Sequence, residues 1–241
     1  YSLSSDHIRA IYVDRSGVLW VGTEGKGINR SDPPYKRFLH YRAIPGDPHS
    51  LSDNFVTTLY EDRAGILWIG TLGGGLNRLD RETGEFTHYQ HDPTDPFSLS
   101  DNNVTAVYED HFGVLWVATG NGGLNRLDRA TGRFEHYRED PTDPAALSTD
   151  ALYTIYEDRY GILWIGTNGG GLERFDRETE TFVHYRYASD DEHSLSHDRV
   201  NVIFEDQASN LWIGTSGGGL NYFDRETDHF IRYQAIAGDS T

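Results

Sequence analysis

The chain has no cysteine and no methionine among its 241 residues. Without thiols, disulfides, thiol nucleophiles and thiolate zinc sites are excluded. Without an initiator methionine, the sequence reads as a processed chain or an excised segment. No apolar run approaches the ~18 residues of a membrane span, and no stretch is patterned as a secretory leader. Basic residues are scarce: 21 Lys and Arg against 38 Asp and Glu give a formal charge of −17. Phosphate backbones and anionic lipid repel so acidic a chain, so no nucleic-acid partner and no membrane insertion are expected. Helical periodicity is missing throughout, as are the H-E-x-x-H, EF-hand and P-loop patterns. No cofactor and no metal are expected.

What the sequence does have is a repeat. Trp20, Trp68, Trp116, Trp164 and Trp212 stand 48 residues apart, and the whole chain aligns at that period without gaps. The units run about 1–48, 49–96, 97–144, 145–192 and 193–241, with no linker between them, which predicts one domain over 1–241. The second and third units match at 32 of 48 positions, so equivalent structural units are expected. In the second unit, Val56–Tyr60, Ile66–Ile69, Leu76–Leu79 and Phe86–Tyr89 are short apolar or β-branched runs. Gly- and Asp-rich turns separate them, as in an antiparallel meander. Asp92–Pro96 cannot join a sheet and leads to the next unit. Four short strands per unit, repeated five times, predict an all-β fold: a five-bladed β-propeller whose blades are four-stranded meanders. Blade 5 is expected to close on blade 1 within a monomeric ring, by packing and without a shared strand.

The invariant columns read mainly as structure. Each Trp, mid-strand after a leucine, is a core residue between blades, with sugar stacking as the competing role. Asp14, Asp62, Asp110, Asp158 and Asp206 are expected to close turns on backbone N–H groups, a metal-binding carboxylate ring being the alternative. Gly17, Gly65, Gly113 and Gly161 then supply positive φ; in blade 5, where Ser209 and Asn210 replace Gly-Ile, Asn210 is expected to adopt it. Gly214, Ser216 and Gly218 spell G-x-S-x-G, but in a hairpin turn, not the strand-to-helix elbow a nucleophile needs.

Function is sought where the repeats differ and converge. An Asp/Asn column leading into the first strand is followed by His7, Phe55, Asn103, Ala151 and Arg199. Two residues on come Arg9, Thr57, Thr105, Tyr153 and Asn201. The turns between second and third strands offer Glu24, Lys26, Leu72, Asn121, Asn168 and Ser216. From these, His7, Arg9, Glu24, Lys26, Phe55, Asn103, Tyr153, Asn168, Arg199 and Asn201 form the candidate ligand-binding set at the channel mouth. They suit an oligosaccharide or another small polar ligand; ordinary variation of solvated loops is the competing reading.

The run VTTLYEDRAGILWIGTLGGGLNRLDRETGEFTHY, echoed in all five units, resembles the two-component regulator propeller repeat of bacterial hybrid sensor kinases. The resemblance implies an extracytoplasmic, ligand-sensing propeller, in a family many of whose members respond to polysaccharide fragments. It also implies further domains of a parent sensor kinase, and rings that usually hold seven blades where this sequence has five. The reading is therefore a non-enzymatic sensor or binding module. A propeller-scaffold glycoside hydrolase or lyase, and a structural or engineered ring with no ligand of its own, are the alternatives. Unequal, converging carboxylates would favour the enzyme.

Overall fold

The computed structural model describes residues 2–32 and 37–235. The extreme ends of the first and last repeats therefore lie outside the described residues. Among the described residues there are twenty strands and no helix, in five four-stranded antiparallel sheets whose strands follow chain order. Blade 1 holds β1 (Ile8–Val13), β2 (Leu19–Thr23), β3 (Ile28–Asp32) and β4 (Arg37–Tyr41). Blade 2 holds β5 (Val56–Glu61), β6 (Leu67–Thr71), β7 (Leu76–Leu79) and β8 (Phe86–Tyr89). Blade 3 holds β9 (Val104–Glu109), β10 (Leu115–Thr119), β11 (Leu124–Asp128) and β12 (Arg133–Tyr137). Blade 4 holds β13 (Leu152–Glu157), β14 (Leu163–Thr167), β15 (Leu172–Asp176) and β16 (Thr181–Tyr185). Blade 5 holds β17 (Val200–Glu205), β18 (Leu211–Thr215), β19 (Gly219–Asp224) and β20 (His229–Tyr233). This is the five-bladed β-propeller class expected from the repeat. In blade 2 the first strand runs one residue longer than its apolar stretch, and the second starts one residue later.

The chain forms two compact units, residues 1–136 and 137–241. In the first, blade 1 packs its Trp20 face on blade 2, burying Trp20, Ile28, Leu51, Val56, Leu59 and Phe86 in one cluster. Blade 2 packs its Trp68 face on blade 3 in the same way, around Leu76, Leu99, Val104, Val107 and Leu115. In the second unit, Trp164 and Leu172 of blade 4 meet Val200, Ile203, Leu211 and Phe223 of blade 5. Close approach requires a missing side chain at one point: a Cβ on Gly70 would stand 2.7 Å from Val104 Cγ1 of the next blade. Gly166 spares Val200 the same clash, again at 2.7 Å.

Polar columns tie each blade to itself. Buried Asn77 accepts from the Ser52 amide (2.9 Å) and donates to Ser52 Oγ (2.7 Å), fixing the lead-in segment against the third strand. His88 Nε2 donates to the Ser50 carbonyl at 2.6 Å, and Arg232 Nε does the same for Ser194 at 2.8 Å, so arginine replaces histidine in blade 5 without loss of the bond. The connection also guards the outer edge: Phe86 N donates to His49 O at 2.9 Å and Phe182 N to Ala145 O at 2.8 Å. Pairing an outermost strand with loop backbone blunts an edge that would otherwise template aggregation.

The Asp turns are closed as expected, and each does more. Asp62 Oδ1 accepts the Ile66 amide (2.9 Å), while Oδ2 accepts Trp68 Nε1 (2.8 Å) and Arg129 Nη1 of the next blade (2.8 Å). Arg129 continues to Glu109 of its own blade at 2.7 Å. Asp158, Arg225 and Glu205 repeat the arrangement in the second unit. One expectation is corrected. In blade 5 the positive φ falls on Ser209 (71°), not on Asn210. Asn210 instead gives both its backbone N (3.0 Å) and Nδ2 (2.8 Å) to Asp206. That side-chain bond, with the one from Trp212 Nε1, holds the Asp206 carboxyl down to about 2. Serine tolerates the left-handed turn here because two Asn210 donors lock the loop.

Candidate functional site

The two variable columns are joined backbone to backbone. Glu24 N donates to His7 O (3.0 Å), Leu72 N to Phe55 O (3.0 Å), and Gly120 N to Asn103 O (2.8 Å). Asn168 N donates to Ala151 O and Ser216 N to Arg199 O, both at 2.8 Å. Each turn between the second and third strands thus sits on the lead-in to the first strand. Within each unit the turns also reach the next blade: Gly27 N binds Asn54 O, Gly75 N binds Asn102 O and Gly171 N binds Asp198 O. The Asp/Asn column has a backbone duty of its own. Asn54, Asn102, Asp150 and Asp198 each accept, through Oδ1, the amide eleven residues earlier, where the connection leaves the previous strand.

In the first unit three of the candidate residues, Arg9, Glu24 and Phe55, engage one another. Arg9 pairs with Glu24 at 2.9 Å, and its guanidinium carbon lies 5.3 Å from the centre of the Phe55 ring. The charge of Arg9 is therefore offset in place, and one face of Phe55 is covered by it. Asn103 lies over Gly120, where a Cβ would meet its Nδ2 at 2.2 Å. His7 and Lys26 are exposed, and Lys26 pairs with no carboxylate among the described residues.

In the second unit the candidates are less committed. Arg199 Nη2 donates to the Tyr153 hydroxyl at 3.3 Å, and among the described residues no carboxylate pairs with Arg199. Asn168 and Asn201 are exposed, and their side-chain amides hold no hydrogen bond among the described residues. Asn168 and Arg199 form an isolated antiparallel bridge, which sets these two side chains side by side on neighbouring blades. The result is an aromatic hydroxyl, a guanidinium with unused N–H groups and two free amides presented on a backbone-braced surface.

One polar cluster escaped sequence reading. Glu173 stands where the other blades carry Asn29, Asn77, Asn125 and Asn221, and it is fully buried. Ser148 and His184 both hydrogen-bond its carboxylate, and His184 Nε2 turns to Pro144 O at 2.9 Å, two residues before Ala146, which replaces the lead-in serine of the other blades. A cleft of about 290 Å³ beside it is lined by Pro144, Ala146, Leu147, Ser148, His184 and Arg186, among others. The break in an otherwise uniform Asn column was the available signal. Burial pushes the Glu173 carboxyl up, against the pull of its two hydrogen bonds. The folded state then holds this proton more tightly than the unfolded chain does, so its contribution is full at acid pH and falls as pH rises through the raised value. Glu173→Gln is expected to melt higher than the wild type at neutral pH, with the gap shrinking on acidification. A variant that melts lower at neutral pH would mean that the Glu173–His184 pair is net stabilising.

A sequence-family profile described as Two component regulator propeller matches residues 2–25, 50–73, 98–121, 146–169 and 194–217. Among solved structures, the extracellular domain of the hybrid two component system BT3049 from B. thetaiotaomicron is 33% identical over 95% of this chain and 30% of that one, with a TM-score of 0.81. The extracellular domain of BT4673 from the same organism is 25% identical over 95% of this chain and 31% of that one, with a TM-score of 0.74. The chain thus spans less than a third of the length of these two relatives. Virginiamycin B lyase from Staphylococcus aureus is 14% identical over 97% of this chain and 72% of that one, with a TM-score of 0.69, a likeness of fold alone. No curated protein sequence matches significantly.

Proposed function

Because the chain belongs to the two component regulator propeller family, we propose that it is the recognition part of a sensor, non-enzymatic, binding an oligosaccharide or other small polar ligand. Its place is extracytoplasmic, as the matched relatives are extracellular domains. The observation that carries the ligand reading is the Tyr153–Arg199 pair with the free amides of Asn168 and Asn201. A tyrosine ring stacks on a sugar face, and Arg and Asn side chains donate to its hydroxyls in the plane. Backbone bonds brace the surface, which lowers the ordering cost of binding. Arg9, Glu24, Phe55, Asn103, His7 and Lys26 form a second set on the first unit, with Arg9 already neutralised by Glu24. Further domains of a parent sensor kinase would carry the signal.

Calorimetric titration with neutral oligosaccharide fragments tests this. Tyr153→Ala and Arg199→Ala should each weaken binding by at least about tenfold, near 1.4 kcal/mol, while heparin and DNA bind poorly against the charge of −17. Binding that survives both substitutions would place the site elsewhere. Cleavage of a glycan by the purified chain would favour the lyase or hydrolase reading, for which the lyase-like fold alone gives a motive.

A further inference from the structure

Glu173 changes the proton count of its blade as well as its hydrogen bonds. In the other blades an asparagine makes the link between the third strand and the lead-in serine: Asn77 gives Nδ2 to Ser52 Oγ at 2.7 Å, and Asn221 to Ser196 Oγ at 2.8 Å. An amide does not titrate, so those links are fixed. In blade 4 the Ser148 hydroxyl donates to one Glu173 oxygen, and the other oxygen meets His184 Nδ1. His184 Nε2 bonds the Pro144 carbonyl at 2.9 Å. A carbonyl oxygen only accepts, so Nε2 carries a hydrogen. The contact at Nδ1 then holds only with a further proton between the two side chains, as imidazolium with carboxylate or as imidazole with carboxylic acid. Without that proton two lone pairs oppose each other, and the carboxylate is charged where Glu173 is fully buried.

The pair stands directly behind the recognition surface. Ser148 Oγ lies 3.3 Å from Gly170 O, and a Cβ on Gly170 would meet it at 2.0 Å. Gly170 belongs to the turn that carries Asn168. That turn binds Ala151 O through Asn168 N (2.8 Å), and Asp198 O through Gly169 N (3.0 Å) and Gly171 N (2.9 Å). Displacing Ser148 therefore reaches Tyr153 along the chain, Asn168 through the turn, and Arg199 through Asp198. The His184 side chain is 23% exposed and lines the cleft, so the proton exchanges with water there, while the Glu173 side chain is 0% exposed. Arg186, just after β16, favours loss of the proton. Glu139, Asp140 and Asp143 of the connection line the same cleft and favour its retention.

We propose that the proton shared by Glu173 and His184 is a latch: while it is bound, Ser148 and the 168–171 turn are held in place, and its loss as pH rises releases them and weakens ligand binding. The regulatory part rests on the reading that Tyr153, Asn168, Arg199 and Asn201 form the recognition surface. Glu173 is a positioning residue in this account, since it acts on the surface through Ser148. Burial, which pushes the Glu173 carboxyl up, favours the latched state.

An NMR pH titration of the full chain reads the latch without any ligand. In the wild type, the amides of Ser148, Ala151, Asn168 and Gly170 should shift with a single midpoint, shared with the Nδ1 resonance of His184. The turns 71–75 and 119–123, whose blades carry Asn in the Glu173 column, should stay in place through that midpoint. Glu173→Gln supplies an N–H that donates to Nδ1 and an oxygen that still accepts from Ser148. Its turn amides should hold the acid-limit positions of the wild type at every pH. Glu173→Asn restores the residue of the other blades and should likewise abolish the transition. A His184 Nδ1 that does not titrate, turn amides that ignore its titration, or a transition that persists in Glu173→Gln would overturn the proposal. Calorimetry with neutral oligosaccharide fragments then reads the regulation. Wild-type affinity should fall above the midpoint, by about tenfold per pH unit if gating is complete, while that of Glu173→Gln stays level. Equal pH dependence in the two proteins would overturn the regulatory role. If no fragment binds either protein, the recognition reading fails, and with it the regulatory role, while the resonances still decide the latch.

Discussion

Trp68→Ala lowers the free energy of unfolding by ~3–5 kcal/mol in a urea titration. Trp68 is 2% exposed, and Tyr89 lies against it with ring centres 5.8 Å apart. It shares a cluster with Leu76 of its own blade and Leu99, Val104 and Leu115 of the next. Truncation therefore opens a cavity at a joint between blades, where rigid strands on both sides limit collapse. It also takes one donor from the buried Asp62 carboxylate. Trp68→Phe separates the two contributions. It keeps an aromatic ring but loses the indole N–H, and the loss expected is ~1–3 kcal/mol, the scale of an unmet buried hydrogen bond plus a smaller void. A loss below ~1 kcal/mol for Trp68→Ala would put the residue outside the core and return the sugar-stacking reading.

Asp62→Ala should be as costly, ~3–5 kcal/mol, the scale of breaking a buried ion pair from one side. The carboxylate is fully buried and accepts from Ile66 N, Trp68 Nε1 and Arg129 Nη1. Its removal strands two buried N–H groups and frees one arm of a guanidinium that still faces Glu109. Asp62→Asn keeps one acceptor oxygen and should fall between alanine and wild type. A double-mutant cycle with Arg129→Ala isolates the link between blades, and a coupling of at least ~0.5 kcal/mol is expected for residues in one network. Zero coupling would mean that the Asp only shapes its own turn.

The repeat made the blade legible because each strand is short, each turn carries Gly or Asp, and every element recurs five times. Trp20, Trp68, Trp116 and Trp164 are at most 2% exposed, as the mid-strand position after a leucine suggested. What a repeat hides is the partner across a joint. The link from Asp62 to Arg129 spans 67 residues, and neither column announces the other, since an Asp turn explains itself locally and an exposed-looking Arg needs no partner. Column breaks carried more information than column identities. Glu173 in an Asn column marked the buried cluster with Ser148 and His184. Ser209 shows the opposite failure: the residue type favoured Asn210 for positive φ, but hydrogen bonding to Asp206 gave Asn210 other work. For the candidate ligand residues, sequence supplied the columns while geometry graded them. Arg9 is paired with Glu24, whereas Arg199 keeps donors free beside Tyr153.

Amide hydrogen exchange with and without a neutral oligosaccharide that binds is the most direct measurement of where recognition occurs. Slowed exchange around Tyr153, Asn168, Arg199 and Asn201, with no change at the Asp62 and Asp158 turns, is the predicted result. Protection confined to those Asp turns, or none at the Tyr153–Arg199 surface, would contradict the assignment of recognition to the face where the second–third turns meet the first strands.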